Sequence, residues 1–127
     1  MVIISNFIKH SDYSALKQKS RHTASLSVPA GTYGDGQQFS TTFTVPAGVY
    51  VENVNLQTSL SAGDNFPCNM FVYQNVGTGL MVFSQCHQLN NTTYRLLATI
   101  GAQGGGTVSV PAFTANAILN LSISPFD

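Results

Sequence analysis

Charged side chains are scarce in this 127-residue chain. Asp, Glu, Lys and Arg make up 8% of the residues, against about 25% in ordinary soluble domains. The five cations are balanced by five acidic residues, which excludes the basic surface of a nucleic-acid-binding module. With so few charges, we expect a surface covered by Ser, Thr, Asn, Gln and Gly, or apolar surface that an oligomer covers.

Tryptophan is absent, and long apolar runs are missing. The apolar residues 2–4 are interrupted by Ser5 and Asn6, and no basic residue precedes them. A secretory signal needs a basic start and a longer apolar core, and a membrane span is longer still. We therefore expect cytoplasmic synthesis and no insertion into a membrane.

Cysteine is rare as well, with only Cys68 and Cys86. Cytoplasmic synthesis favours reduced thiols over a disulfide. Cys86 and His87 resemble a nucleophile beside its base, but neighbouring strand residues point to opposite faces, so a hydrolase that uses them is disfavoured. The spacing also lacks the close ligand pairs of a zinc site. We predict a protein that is not an enzyme, with no catalytic residue, metal or cofactor.

β-branched and aromatic residues are abundant and recur at alternate positions through most of the sequence. This is the pattern of half-buried strands, and clusters of Gly, Pro and Asn interrupt it at short intervals. About eight strands at this spacing predict an all-β fold. We expect an antiparallel β-sandwich or jelly roll in residues 23–127, preceded by a short N-terminal helical arm.

The clearest alternation lies in residues 39–60, where two strand patterns flank Pro46, Ala47 and Gly48. Proline has no hydrogen for the ladder and glycine gives backbone freedom, so these residues predict a corner between strands. The sequence VPAGVY at residues 45–50 nearly repeats VPAGTY at residues 28–33. We expect the same corner to be built twice.

A β-hairpin is predicted around Gly77 within residues 67–86. A turn centred there places Tyr73 opposite Met81, Phe71 opposite Phe83, and Cys68 opposite Cys86. Both faces of this hairpin are apolar, so both need a cover. We expect one face to join the core and the other to form an oligomer interface, which consists of Phe71, Tyr73, Met81 and Phe83.

Residues 1–22 differ from the rest because they hold four cations and one acidic residue. Ser11 or Asp12 can cap a short helix that runs to Lys19. We predict a separate docking arm whose contact residues are Phe7, Lys9, Lys17, Lys19 and Arg21. The alternative is a solvated helix end without a partner.

Polar loops suggest a second function, because Asn, Thr and Tyr side chains can hydrogen-bond to sugar hydroxyls. The candidate glycan contacts are Tyr33, Asn65, Asn90, Asn91 and Tyr94. These residue types are also favoured in turns for local reasons. The lack of tryptophan, which is the usual stacking platform for sugars, counts against a glycan site.

Two segments resemble known proteins. Residues 43–50, FTVPAGVY, resemble the strand, proline corner, glycine and tyrosine of trimeric jelly-roll heads of the tumour-necrosis-factor and complement-C1q type, and of knob domains in some phage tail needles and fibres. Residues 6–17, NFIKHSDYSALK, resemble the opening of small proteins encoded in the tail modules of phages and prophages.

These resemblances imply a virion-associated homotrimer that is made in the cytoplasm of a bacterial host. Only residues 1–22 precede the body, whereas a knob follows a long shaft. The implied role is therefore an accessory or decoration protein that docks on other virion proteins. Binding to a host-surface glycan is the alternative function.

Overall fold

The computed structural model describes residues 19–68 and 71–123. Within these ranges it contains ten β-strands and no helix. The strands are β1 (Lys19–Val28), β2 (Gly31–Gly34), β3 (Gln38–Thr44), β4 (Val49–Thr58), β5 (Ser61–Phe66), β6 (Phe71–Gly77), β7 (Leu80–Gln88), β8 (Thr93–Ala102), β9 (Thr107–Val110) and β10 (Phe113–Ile123).

Two four-stranded antiparallel sheets enclose one hydrophobic core, as in a β-sandwich. The first sheet has the order β1-β10-β4-β5, and the second has the order β3-β8-β7-β6. Strands β2 and β9 form a separate two-stranded antiparallel sheet. The prediction of an all-β antiparallel fold is confirmed, whereas the helical arm lies largely in residues 1–18, outside the described residues.

The strands pair in a nested order. The first described strand pairs with the last (β1 with β10), the second with the second-last (β2 with β9), and the third with the third-last (β3 with β8). Inside this nest, β4 pairs with β5 and β6 pairs with β7 as hairpins. The first and last strands of the sandwich therefore depend on each other.

Sequence alternation explains which side chains are buried. In β8, Tyr94, Leu96 and Ile100 point into the core, and each is at most 3% exposed. The residues between them, such as Arg95 and Thr99, lie on the outer face with intermediate exposure. Burial of a side chain such as Leu96 stabilises the fold by roughly 1.5–3 kcal/mol, so this alternation fixes which face meets the opposite sheet.

The two proline corners are not built alike, which corrects the prediction of a repeated corner. Pro46 and Gly48 connect β3 in the second sheet to β4 in the first, and Gly48 has a positive φ of 81°. Gly31 instead begins β2, and its φ is not positive. There, the Tyr33 hydroxyl donates a hydrogen bond to the Pro29 carbonyl oxygen, and this contact fixes the first corner.

Strand β1 begins at Lys19, so it includes residues 19–22, which were predicted to belong to the arm. Lys19 pairs with Ser122 and Arg21 pairs with Asn120 in the ladder with β10. The His22 ring stacks on Phe43 of β3 at a centroid distance of 5.6 Å. Residues 19–22 therefore pair with β10 as part of the sandwich, and the other residues of the predicted helix lie outside the described residues.

Strand β5 was missed because its sequence is typical of a turn. Strand β5 has the sequence SAGDNF, yet it pairs with β4 along its edge. A Cβ atom at Gly63 would lie 2.0 Å from the Leu56 carbonyl oxygen, so only glycine permits this approach. The Thr58 hydroxyl accepts hydrogen bonds from the backbone N–H groups of Leu60 and Ser61 and closes the β4–β5 turn.

Strand β4 contains a β-bulge that sequence alternation did not reveal. Asn53 pairs with Asn120, and the next pair in the ladder joins Val51 to Leu121, so Glu52 is the additional residue. The additional residue reverses the inward and outward alternation of the residues that precede it in the strand. Val49 and Val51 consequently pack against the core on the same side as Val54.

Candidate functional site

The β6–β7 hairpin has a different register from the predicted one. Tyr73 lies opposite Phe83, whereas Met81 lies opposite Asn75. Gly77, Thr78 and Gly79 all have positive φ, so the turn is centred on Thr78, and the ladder shifts between Asn75 and Gly77. A shift of two residues keeps every side chain on its predicted face.

Three of the four residues of the predicted oligomer interface, Tyr73, Met81 and Phe83, share one face of the second sheet. The Tyr73 and Phe83 rings have centroids 5.3 Å apart at an angle of 40°. A Cβ atom on Gly101 in the adjacent β8 would lie 2.6 Å from Phe83 Cε1 and 3.2 Å from Met81 Cβ. Gly101 thus leaves space on the sheet that the Phe83 and Met81 side chains fill.

We call this cluster of Tyr73, Met81 and Phe83 the aromatic patch. The Tyr73 side chain is 51% exposed, and the other two side chains have intermediate exposure. The Phe71 backbone pairs with Gln85 on the same face, but the Phe71 side chain lies outside the described part of the structure. The patch is confined to the β6–β7 half of the sheet.

The other half of this outer face contains Leu97 and several polar residues. Ser40 and Thr42 in β3 and Thr99 in β8 lie on the same side of the sheet as the aromatic patch. An apolar centre with a polar margin is the usual composition of a protein interface. None of the four strands of this sheet contains an acidic residue.

One basic pair lies on this face beside the patch. His87 in β7 is directly opposite Arg95 in β8. The His87 Nε2 and Arg95 Nε atoms are buried and have no hydrogen-bond partner among the described residues. Arg95 is the one formally charged residue in the strands of the second sheet, so these two nitrogen atoms lie on a face whose strands contain no acidic residue.

The two cysteines do not form a reactive centre. Cys86 is 1% exposed in the core, whereas His87 lies on the opposite face. Burial raises the pKa of the Cys86 thiol to about 12, and nearby Cys68 adds to this rise. The Cys68 thiol donates a hydrogen bond to the Cys86 carbonyl oxygen at 3.6 Å, and neither cysteine is in a disulfide.

The predicted glycan contacts do not come together. Tyr94 is 3% exposed and stacks on Phe43, so its ring lies in the core and not on the surface. Burial also raises the pKa of the Tyr94 hydroxyl. Tyr33 packs edge-on against Phe39, whose backbone pairs with Ala98 at the start of the β3–β8 ladder.

The three asparagines of that set lie in two further places. The Asn90 side-chain oxygen accepts hydrogen bonds from the backbone N–H groups of Thr92 and Thr93, and so it shapes the β7–β8 turn that also contains Asn91. Asn65 lies on the outer face of the first sheet, where its oxygen accepts a hydrogen bond from Asn55. No single glycan site can use all five residues.

The predicted docking arm is mostly outside the described part of the chain. Phe7, Lys9 and Lys17 precede residue 19, where the structural description begins. Lys19 and Arg21 belong to β1. Arg21 is exposed on the outer face of the first sheet and lies opposite Asn120.

Sequence reasoning missed a cluster of amide side chains on the first sheet. Its members are Asn53, Asn55 and Gln57 in β4, Asn65 in β5, and Asn116 and Asn120 in β10. The signal was present in β4, where amides occupy the alternate positions 53, 55 and 57. In β10, Asn116 and Asn120 lie on one face with Ile118 between them.

The chain was compared with known proteins. No protein-family model, no curated protein and no solved structure matches it. Among residues 19–68 and 71–123, no group of three or more His, Cys, Asp or Glu side chains could hold a metal ion. The same ranges contain no helix of the length and apolarity needed to cross a bilayer.

Proposed function

We propose that this chain is a non-enzymatic structural or adhesion protein of a phage or prophage virion, and that it self-associates through the aromatic patch. The observation that carries the proposal is the half-exposed Tyr73 ring packed on Phe83, on the side of the sheet that faces away from the core. Aromatic residues in such positions are enriched at protein interfaces.

A second copy of the chain is the occupant that the charges favour. The formal net charge is zero, so copies do not repel one another strongly. The sheet that carries the patch has no acidic residue, which makes it a poor match for a strongly basic partner. Among the described strands, β6 has only β7 as a neighbour, so its other edge adjoins the patch and offers further backbone hydrogen bonds.

A trimeric jelly roll is the form of this assembly that we propose. Support comes from the nested pairing of β1 with β10, β2 with β9, and β3 with β8, which matches the outer strand pairs of a jelly roll. The inner strands differ from that pattern, because they pair as the hairpins β4–β5 and β6–β7. The resemblance of residues 43–50 to trimeric jelly-roll heads supports the same stoichiometry. In a ring of three copies, the patch of one copy contacts a different surface of the next.

Docking on other virion proteins is assigned to residues 1–18, which include Phe7, Lys9 and Lys17. Support comes from the sequence, in which these residues join two cations, Lys9 and Lys17, to an apolar lead. Since β1 begins at Lys19, a truncation that is meant to remove the arm should end at residue 18. A truncation to residue 22 would also remove four ladder pairs with β10.

The test is to place a charge on the patch and to measure the solution mass. Tyr73→Arg should shift the protein toward the monomer, because a buried guanidinium without a partner is costly. Tyr50→Arg is the matched control, since Tyr50 is 64% exposed on the other sheet. An equal response of the two variants, or no response to Tyr73→Arg, contradicts self-association through this patch.

A further inference from the structure

The outer face of the first sheet is lined by amides where a strand surface would ordinarily carry charged or β-branched residues. Val54 and Leu56 of β4 are buried in the core, whereas the residues between and beside them point outward. The outward amides are Asn53, Asn55, Gln57, Asn65, Asn116 and Asn120. Such a surface presents hydrogen-bond donors and acceptors in equal measure and almost no charge.

Hydrogen bonds across the strands hold several of these amides in place. The Asn55 side-chain nitrogen donates to the Asn65 side-chain oxygen at 3.0 Å. The Asn120 side-chain nitrogen donates to the Asn53 side-chain oxygen at 2.5 Å. Each amide has two N–H donors and an oxygen with two lone pairs, so each bond leaves most of this capacity unused. Their orientation is set before any ligand arrives, which lowers the entropy cost of binding.

A shallow pocket lies at the centre of this face. It has a volume of about 310 Å³ and is lined by Arg21, Asn55, Gln57, Asn65, Ile118 and Asn120. Ile118 is paired with Asn55 on one side and with Thr23 on the other. The pocket therefore has an apolar floor that is surrounded by four amides and one guanidinium.

We propose that this pocket binds a saccharide. A sugar ring has an apolar C–H face, which suits Ile118, and hydroxyl groups at its edge that both donate and accept hydrogen bonds. Amides supply both functions, and the Arg21 guanidinium adds a planar set of donors that can reach two adjacent oxygens. The volume is at the lower end of the range of ligand pockets, which is about 300–1,000 Å³, and this size suits one or two sugar rings.

Other ligand classes fit the pocket less well. A phosphate-rich ligand such as nucleic acid needs several cations, and Arg21 is the only cation in the lining. A hard metal ion needs carboxylate ligands, and the lining contains none. A largely apolar ligand would leave the amides without partners, which is costly.

The saccharide site is independent of the aromatic patch. The pocket is on the outer face of the first sheet, and the patch is on the outer face of the second, so both surfaces can be occupied together. Of the five glycan contacts predicted from the sequence, only Asn65 lines this pocket. Failure of sugar binding would leave self-association standing, and a monomeric protein could still bind a sugar.

Nuclear magnetic resonance of the full chain with a panel of neutral and acidic monosaccharides and disaccharides tests the proposal. The side-chain amide group of each asparagine gives a resonance that is separate from the backbone amide resonances. At least one sugar should shift the side-chain signals of Asn55, Asn65 and Asn120, and leave those of Asn116 in place. Asn116 is the internal control, because it lies on the same face and is hydrogen-bonded to Ser25 at 2.7 Å, outside the lining.

Two variants separate this site from any other. Asn55→Ala combined with Asn120→Ala should weaken binding at least about tenfold, since two or more hydrogen bonds are lost. Asn116→Ala should bind like the unmodified protein, and the backbone spectrum of each variant reports whether it is folded. Absence of shifts with every sugar at millimolar concentration overturns the proposal. So does unchanged binding by the folded double variant.

Discussion

Gly101 lies directly beneath the aromatic patch, because a Cβ atom at this position would meet Phe83 Cε1 at 2.6 Å. Gly101 is in β8 and Phe83 is in the adjacent β7. The glycine leaves a gap in the outer face, and the Phe83 ring and the Met81 side chain pack over it. The exposed Tyr73 ring then packs on Phe83 at 5.3 Å, so the position of the patch depends on one missing methyl group.

We therefore predict that Gly101→Ala reduces the free energy of self-association by more than it reduces the free energy of unfolding. The added methyl group displaces the Phe83 ring, while the backbone tolerates alanine because Gly101 is not among the positive-φ glycines. The expected loss of unfolding free energy is about 1–3 kcal/mol, as for other overpacked sites. Sedimentation should show a shift toward the monomer at micromolar concentration.

Gly34→Ala is the control for that experiment. A Cβ atom at Gly34 would have its nearest contact at 4.0 Å, and φ at this residue is not positive. Its self-association should match that of the unmodified protein. If Gly101→Ala associates as strongly as Gly34→Ala, then the position of the Phe83 ring is irrelevant to assembly.

Asn90 should contribute to stability and not to ligand binding. Its side-chain oxygen accepts hydrogen bonds from Thr92 N at 3.0 Å and from Thr93 N at 2.8 Å. Asn90→Ala leaves both donors without this partner, and we expect a loss of about 1–2 kcal/mol in chemical denaturation. Asn91→Ala, one residue away in the same exposed turn, should change stability by less than about 0.5 kcal/mol.

Equal losses for the two asparagine variants would show that the turn does not depend on the Asn90 side chain. Loss of sugar binding in Asn90→Ala with unchanged stability would restore Asn90 as a glycan contact and would count against the pocket on the first sheet.

The Cys86 thiol should make stability fall at high pH. Burial raises its pKa in the folded chain from 9.0 to about 12, whereas the unfolded chain keeps the ordinary value. Below pH 9 both states hold the proton, so the contribution is constant. Above pH 9 the unfolded state loses a proton that the folded state retains, and the free energy of unfolding decreases by up to about 1.4 kcal/mol per pH unit.

Urea denaturation at several pH values between about pH 8 and pH 11 measures this slope. Cys86→Ala should be less stable at every pH, because it leaves a cavity, and it should show a shallower decline above pH 9. A thiol reagent should label Cys86 slowly in folded Cys68→Ser and rapidly after denaturation. Parallel declines in the two proteins, or rapid labelling of folded Cys68→Ser, contradict a buried and protonated thiol.

The strand pattern was predictable wherever one face is buried. The alternation around Leu96 and around Phe43 predicted β8 and β3, because a residue on the wrong face of these strands would expose apolar surface. The hairpin face was also predicted correctly, although Tyr73 pairs with Phe83 and not with Met81. A register shift of two residues keeps every side chain on the same face of the hairpin, so the alternation of residue types cannot exclude such a shift.

Features that depend on contacts between distant residues were not predictable in this way. Strand β5 exists because Gly63 permits close approach to Leu56, and its own sequence is typical of a turn. Tyr94 was predicted to be a glycan contact, yet its ring is buried and stacks on Phe43. The amide pocket needs β1, β4, β5 and β10 to be neighbours, and no local pattern reports that order.

The mass of the unmodified chain in solution is the most direct test of the central claim, which is that another copy covers the aromatic patch. Sedimentation equilibrium over a range of micromolar concentrations should give a mass above the 13.5 kDa of one chain, and a mass near three times that value if the assembly is a trimer. A mass of 13.5 kDa throughout that range would contradict the proposed self-association.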